Sequence, residues 1–308
     1  MFKIPLDFKH IRLVPQRIGP FIKLRSFSSV SFVGYDTIVV APNLRILDYY
    51  QLYRSKYWKK LVGWGHHKGR TTGNKFAEWV RFTFFKNFKS LVFYDYETPK
   101  EYIAKGFDAS RLFVANNTQY VNLSTVHLYS ERNSFLYVGR IQERKKIDLA
   151  IKAFYEVVKM YPGMKLKFYV VGGGDDTSLK RIIDEFNLSE SVVLCGSIHD
   201  ENELAKYFNS ALAYVSPGHV GLGVLHSLAF GVPVITCKER KHSLEIVNCK
   251  PENSFIVDFN KESIANAMIS LLNNQTFKSK SQNAYNYYKD YCTIDKMVDG
   301  IDCAIKCL

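Results

Sequence analysis

From Asn133 onward the sequence alternates between two periodicities, and that alternation limits the folds open to it. Apolar, β-branched runs recur at 134–138, 167–171, 192–195, 212–215, 232–236 and 254–257. Between most of them lie helix-period stretches, at 148–161, 177–186, 201–208 and 224–230. Strands alternating with helices of this length predict the α/β class, with a parallel, doubly wound sheet and short connections. Right-handed crossovers then align the loops that follow the strands along one edge, where ligands of such sheets bind. Residues 1–130 repeat the pattern less completely. Strands are predicted at 11–14, 37–40, 61–64, 91–94 and 112–115, and helices at 44–57, 74–88 and 99–105. The expected organisation is a first domain over 1–130, a second over 131–278, and a helical segment, 279–308, packing back on the first. No tandem repeat or low-complexity tract interrupts it.

Charge divides the chain as sharply as pattern does. Residues 1–130 carry 20 Lys+Arg against 8 Asp+Glu, leaving +12 of the total +13, while residues 131–308 carry 22 against 21. Trp58, Trp64 and Trp79 all fall in the basic part. A basic, aromatic-rich region suits an anionic partner, such as a phospholipid surface, a lipid-linked diphosphate or nucleic acid; a solvated basic face without a partner is the alternative. No recognised nucleic-acid-binding motif is present, so nucleic acid is the weakest of these. The hydrophobic fraction of 47% and charged fraction of 23% are those of a globular protein. No apolar run approaches the roughly 18–20 residues that span a bilayer. Residues 1–7 lack the apolar core and cleavage site of a signal peptide, so a cytoplasmic location is expected. Six cysteines form no C-x-x-C pair and no zinc-type spacing, which predicts reduced thiols and no metal.

Three strand ends carry residues suited to phosphate. The first is Gly139-Arg140, with Lys145 five residues on. Glycine permits a sharp turn beside a ligand, arginine offers a planar fork, and lysine a mobile point charge. Gly172-Gly173-Gly174 ends the next strand, where glycines allow a nucleotide to approach the backbone or form a plain turn. It does not satisfy G-x-G-x-x-G. The third runs from Ser216 to Ile235: strand end, glycine-rich loop, short helix, Gly-Val-Pro turn, next strand. The N–H groups at that helix start, near Gly221 and Leu222, are expected to bind an anion.

Taken together and in order, residues 134–235 resemble the donor domain of family 4 retaining glycosyltransferases, the "glycosyl transferases group 1" type with the GT-B fold. The resemblance implies two Rossmann-like domains; the first is expected to be shortened, without its initial βα units, either as a short natural variant or because the sequence starts downstream of the true N-terminus. It continues weakly upstream, where Leu61–Trp64 followed by Gly65 and His66 looks like the histidine element of the acceptor domain. It implies that Arg140 and Lys145 bind the donor diphosphate with Gly221 and Leu222, and that His66 lies beside the reacting sugar. Gly139, Gly172, Gly173, Gly218, His219, Val220 and His226 are implied to line the nucleotide and sugar. Gly218 and His226 stand where the family usually has two glutamates separated by seven residues, so the chain reads as a variant. A neutral histidine can still hold a ribose hydroxyl, the Gly218 N–H can reach a ligand, and Glu245 is the candidate for the lost carboxylate.

The expected activity is therefore transfer of a hexose from a UDP- or GDP-linked sugar to an acceptor hydroxyl, retaining anomeric configuration. The donor is a co-substrate, and no cofactor or metal is expected. A lipid-linked or oligosaccharide acceptor, in polysaccharide or lipopolysaccharide synthesis at the inner face of the membrane, fits the basic first domain. Related GT-B activities, such as a sugar phosphorylase or an epimerase, and a non-catalytic, partner-dependent subunit that binds nucleotide sugar are the alternatives.

Overall fold

A computed structural model describes residues 11–65, 75–128, 131–238 and 242–307. The chain divides into two compact units, Met1–Asn116 with Val298–Leu308, and Asn117–Met297.

The first unit opens with an antiparallel hairpin, β1 (Val14–Ile18) and β2 (Phe21–Arg25), where the sequence pattern predicts one strand over 11–14. Gly19, at φ 56°, makes the left-handed turn that lets β2 return. A four-stranded parallel sheet follows, in the order β3 (Ile38–Val40), β4, β5, β6. Helix α1 (Leu47–Arg54) is shorter than its expected span, because Ser55 accepts from the Tyr57 amide and starts a 3-10 turn. β4 (Leu61–Trp64), α2 (Lys75–Phe85), β5 (Ser90–Phe93), α3 (Thr98–Ala104) and β6 (Leu112–Val114) complete the sheet and its crossovers. Its core is aromatic: Phe85, Phe88, Phe93 and Tyr102 pack with Ile38, Val40, Leu52, Leu61 and Leu91.

The second unit supplies the larger sheet. In chain order it comprises β7 (Ser134–Val138), α4 (Ile147–Met160), β8 (Lys167–Val171), α5 (Thr177–Glu185) and β9 (Val192–Gly196). Then come α6 (Glu201–Ser210), β10 (Ala211–Val215), α7 (Gly223–Ala229), β11 (Val234–Cys237), β12 (Ser254–Val257), α8 (Lys261–Ser270) and α9 (Asn274–Tyr291); α10 (Ile294–Lys306) starts in this unit and from Val298 belongs to the first. The six strands are parallel and lie in the order β12-β11-β10-β7-β8-β9. Both faces are covered, as the alternation in β7 shows. Phe135 and Tyr137 enter a core with α4, α5 and α8, while Leu136 enters the opposite core with α6, α7 and α9. Helix α4 keeps the register the sequence implies, burying Ile147, Ala150, Ile151, Phe154 and Val157 on one stripe. The chain winds outward from β7 through β8 to β9, then restarts at β10 on β7's other side. That reversal opens a crevice between the loops following β7 and β10.

Two boundaries differ from the sequence expectation. Residues 117–128 belong to the second unit, because Thr118 Oγ1 donates to the Cys292 carbonyl and Asn117 Nδ2 donates to Glu245 Oε1 at 2.8 Å. The expected single helical run at the C-terminus is two helices, separated at Cys292-Thr293. Residues of α10 from Val298 onward pack on the first unit. There the Ala304 carbonyl accepts from Ser90 Oγ at 2.7 Å and the Ile305 carbonyl from Lys89 Nζ at 2.7 Å. Gly300 permits this seating: a Cβ there would run into the Val114 carbonyl, with its carbon at 2.7 Å. Alanine in a helix interior ordinarily stabilises relative to glycine by about 0.5–1 kcal/mol. Here the clash reverses the sign. Gly300→Ala is expected to destabilise the chain by about 1–3 kcal/mol in urea unfolding, and a gain in stability would show that α10 does not sit so tightly.

Candidate functional site

The crevice at the strand reversal is built from backbone. After β10 the Gly218 N–H donates to the Lys145 carbonyl at 3.1 Å, and the His219 N–H donates to the Arg144 carbonyl at 2.9 Å. These two bonds tie the loop after β7 to the loop after β10. Gly218 is glycine because of that approach: a Cβ would lie 2.6 Å from the Lys145 carbonyl carbon and against the Arg144 oxygen. Its amide is therefore engaged within the protein, contrary to the expectation that it reaches a ligand.

Lys145 crosses the crevice in the other direction. Its Nζ donates to the His219 carbonyl at 2.5 Å and would stand 3.6 Å from a Cβ on Gly221. Burial, reinforced by the Arg144 charge, lowers the Lys145 pKa, while Glu245 opposes the shift. A half-buried ammonium destabilised in this way gains most from an anion. Arg140 is exposed, and its guanidinium has no partner among the described residues. Its carbonyl instead anchors the strand below, accepting from Tyr137 Oη at 3.0 Å. Tyr214 Oη donates similarly to the Val138 carbonyl at 3.2 Å, and the two rings stack at 6.2 Å. Burial pushes both phenols up, so they remain neutral donors.

Helix α7 starts directly on this floor, since a Cβ on Gly223 would meet the Tyr214 ring at 2.8 Å. Among the described residues the amides of Gly221, Leu222 and Gly223 donate to no acceptor, as the first turn of a helix requires. Leu222 is 42% exposed, and Gly221 is half-buried beside Lys145. The first glycine run serves packing as well as access. Gly172, at φ 151°, has no room for a Cβ against the Gly139 carbonyl, and the Gly173 carbonyl accepts from the Ile141 amide at 2.9 Å. Gly139 and Gly172 thus let adjacent strand ends run in contact.

A polar clamp holds Val220 from both sides, and sequence reasoning missed most of it. The Val220 N–H donates to His242 Nδ1 at 3.4 Å, and its carbonyl accepts from Ser243 Oγ at 2.9 Å. His242 Nε2 meets the Cys237 carbonyl at 2.8 Å, which fixes the proton on Nε2 and leaves Nδ1 as acceptor. Ser243 also contacts Glu245 Oε2, while Asn117 donates to the other carboxylate oxygen. Glu245 is buried and engaged through both oxygens, so its immediate work is to brace the loop. Nothing in the sequence pattern marks His242, Ser243 or Asn117, because a clamp of single side chains from two loops has no period.

His219 and His226 have different surroundings. Burial and then the Lys145 charge lower the His219 pKa, and its Nδ1 is buried without a partner. His226 is 2% exposed and stacks on Phe208 at 4.4 Å, with Phe230 at 5.5 Å. Burial pulls its pKa to about 4, so the ring is neutral at pH 7. His66 lies outside the described residues.

The sequence that builds the β7 loop, the β10 loop and α7 lies within a match to a known family. The profile described as Glycosyl transferases group 1 matches residues 122–290. The chain belongs to that family. Poly(glycerol-phosphate) alpha-glucosyltransferase of Bacillus subtilis is 27% identical over 173 residues, covering 54% of this chain and 25% of that protein. An uncharacterized glycosyltransferase of Haemophilus influenzae is 26% identical over 175 residues, covering 55% and 48%. The chain thus spans about half or less of these relatives. Among solved structures, S. aureus TarM, crystallised with fondaparinux, alpha-GlcNAc-glycerol and UDP, matches with a TM-score of 0.59 at 16% identity. That match covers 84% of this chain and 53% of TarM. Anabaena HepE, crystallised with UDP and glucose, matches at 0.57 and 14%, covering 80% and 72%. These neighbours show the fold, which is GT-B.

For a group 1 chain with His226 so enclosed, the pH dependence of stability has a definite sign. The folded-state pKa is depressed below the unfolded value near 6.5, so between the two the unfolded chain binds more protons. The contribution is complete above pH 6.5 and is lost as pH falls toward 4, amounting to about 2–3 kcal/mol. His226→Leu is expected to flatten that slope in denaturant titrations at about pH 4.5 and about pH 7. An unchanged slope would place the acid sensitivity elsewhere.

Proposed function

We propose that this chain transfers a hexose from a nucleotide-diphospho-sugar, UDP- or GDP-linked, to an acceptor hydroxyl. The tie between the Gly218-His219 amides and the Arg144-Lys145 carbonyls carries the reading. It holds Lys145, with Arg140 on the same loop, beside the free amides that begin α7. Lys145 and a helix start meet where a departing diphosphate needs charge stabilisation, and the exposed Arg140 on the same loop is the proposed second cation. As the anomeric C–O bond breaks, its electron pair leaves on the diphosphate oxygen, and the ring becomes oxocarbenium-like. The acceptor hydroxyl then attacks that carbon, its oxygen forming the new bond and its proton passing to the departing diphosphate oxygen. Positioning and preorganised charge supply most of the acceleration.

Within this reading the chain is a family 4 type enzyme that retains anomeric configuration and needs no metal or cofactor. It is a variant without the glutamate pair, with Gly218 and His226 at those positions. The resemblance assigns His66 to the acceptor side and His219 to the sugar; Val220, expected there too, is instead fully buried with both peptide groups held by His242 and Ser243. The poly(glycerol-phosphate) glucosyltransferase relative and the basic first unit support an acceptor of surface polysaccharide or lipopolysaccharide synthesis, lipid-linked or oligosaccharide, on the cytoplasmic side of the membrane. A second reading, a nucleotide-sugar-binding subunit that depends on a partner, is favoured by one observation. Glu245 is engaged through both oxygens and Gly218 has no space for a side chain, so neither position presents a free carboxylate. Binding of nucleotide sugar with no transfer until a second protein is added would select it.

Arg140→Ala and Lys145→Ala each remove a charged contact worth about 1.5–3 kcal/mol. Titration calorimetry with UDP- and GDP-sugars is expected to show affinity falling about 10- to 100-fold in each. Near-normal affinity in both variants would remove the diphosphate from this crevice.

A further inference from the structure

Helix α2 presents two large aromatic side chains to solvent. Phe76 is 70% exposed and Trp79 62%, and their rings stack on each other at 6.0 Å with planes 28° apart. Inward, the same helix buries Phe85 and packs Phe82 against Tyr102 at 4.7 Å, so the exposed pair is no overflow from the core. Isolated exposed apolar residues are ordinary; two adjacent ones this open on one helix are not. Because β4 and β5 are parallel, α2 runs antiparallel to them. Its first half, with Phe76 and Trp79, therefore lies toward the edge where the strands end and ligands of such sheets bind.

Basic residues lie along α2 and on the elements packed beside it. Lys75 and Lys86 are exposed on α2 and just beyond it, and Arg81 lies between them. Lys105 follows α3 and sits 4.0 Å over the Phe82 ring. Arg111 is bound to the Lys86 and Lys89 carbonyls at 3.1 Å. The one carboxylate of α2, Glu78, is already paired with Lys105 at 3.7 Å. The surface thus combines apolar rings with the exposed charges of Lys75 and Lys86, which have no carboxylate partner among the described residues. A second copy docking face to face would bring these cations against their own equivalents, which opposes self-association. The stacked rings leave no slot between them for a base. An anionic bilayer satisfies both halves at once: rings at headgroup depth, lysine and arginine heads on lipid phosphates.

We propose that this face of α2, centred on Phe76 and Trp79 and flanked by the exposed Lys75 and Lys86, docks the protein on an anionic lipid bilayer. Docking there sets the ligand edge of the first unit at the lipid surface. The inference deepens the reading of a lipid-linked acceptor, while the donor crevice is scored separately.

The test is co-sedimentation of the full chain with vesicles of phosphatidylcholine alone and of phosphatidylcholine mixed with phosphatidylglycerol. The wild-type chain is expected to bind the mixed vesicles, and added salt to weaken that binding. Phe76→Ser/Trp79→Ser is expected to lose at least about tenfold in partitioning, with nucleotide-sugar binding unchanged as the control for folding. Lys75→Glu/Lys86→Glu tests the charge separately and is expected to lose binding to the mixed vesicles. Trp79→Phe, which keeps an aromatic ring, is expected to retain binding. Four results would overturn the proposal: no vesicle binding by the wild type, equal binding to neutral vesicles, full binding by the serine pair, or aromatic-dependent binding of single-stranded polynucleotide instead of lipid. Sedimentation velocity adds a fifth, a wild-type dimer that the serine pair converts to monomer. Loss of nucleotide-sugar binding by the wild type would count against the donor crevice and leave the docking result intact.

Discussion

Two backbone hydrogen bonds, from Gly218 to Lys145 and from His219 to Arg144, join the two loops at the point where the large sheet reverses its winding. The rest of the site depends on them. Parallel strands cannot close a crevice by themselves, because their loops diverge to either side of the reversal. Pairing the loops converts that gap into a defined pocket edge and sets the height at which Lys145 crosses to the His219 carbonyl. The pairing also dictates residue type. Only glycine fits at 218, and the aromatic floor of Tyr137 and Tyr214 requires glycine at 223.

The loop after β10 is then braced from behind. Val220 is fully buried, and its peptide N–H and carbonyl are taken by His242 and Ser243. Ser243 is itself held by Glu245, which Asn117 holds in turn. Within this clamp the Val220 N–H and carbonyl, the Ser243 hydroxyl and both Glu245 carboxylate oxygens all have partners, so it fixes the loop through satisfied polar groups. Lys145 differs in kind. It is partly desolvated, sits near a like charge and has a single carbonyl acceptor, which is the condition of a group that awaits an anion.

Much of this was legible in the sequence, for physical reasons that differ by element. The strands of the second unit could be read because the central ones, such as β7 and β10, are buried on both faces, producing continuous apolar runs between amphipathic helices such as α4. Gly139, Arg140, Lys145 and the Gly218–Gly223 loop stood out because they end strands in order. The hairpin β1–β2 was not legible as a pair: it is largely solvent-exposed, so no strong burial pattern marks its register. The environment of His226 was equally hidden, since a histidine stacked between Phe208 and Phe230 has the same local sequence as one facing a ligand. The roles of Gly218 and Glu245 required tertiary contacts, which link positions about 70 and 130 residues apart.

The most direct measurement is a crystal structure of the full chain with UDP. The diphosphate is expected between the Gly139–Lys145 and Gly218–Gly223 loops, within hydrogen-bond distance of Lys145 Nζ and of an amide at the start of α7. A nucleotide bound with its phosphates away from Lys145 and that helix start would contradict the assignment of the crevice as the donor site.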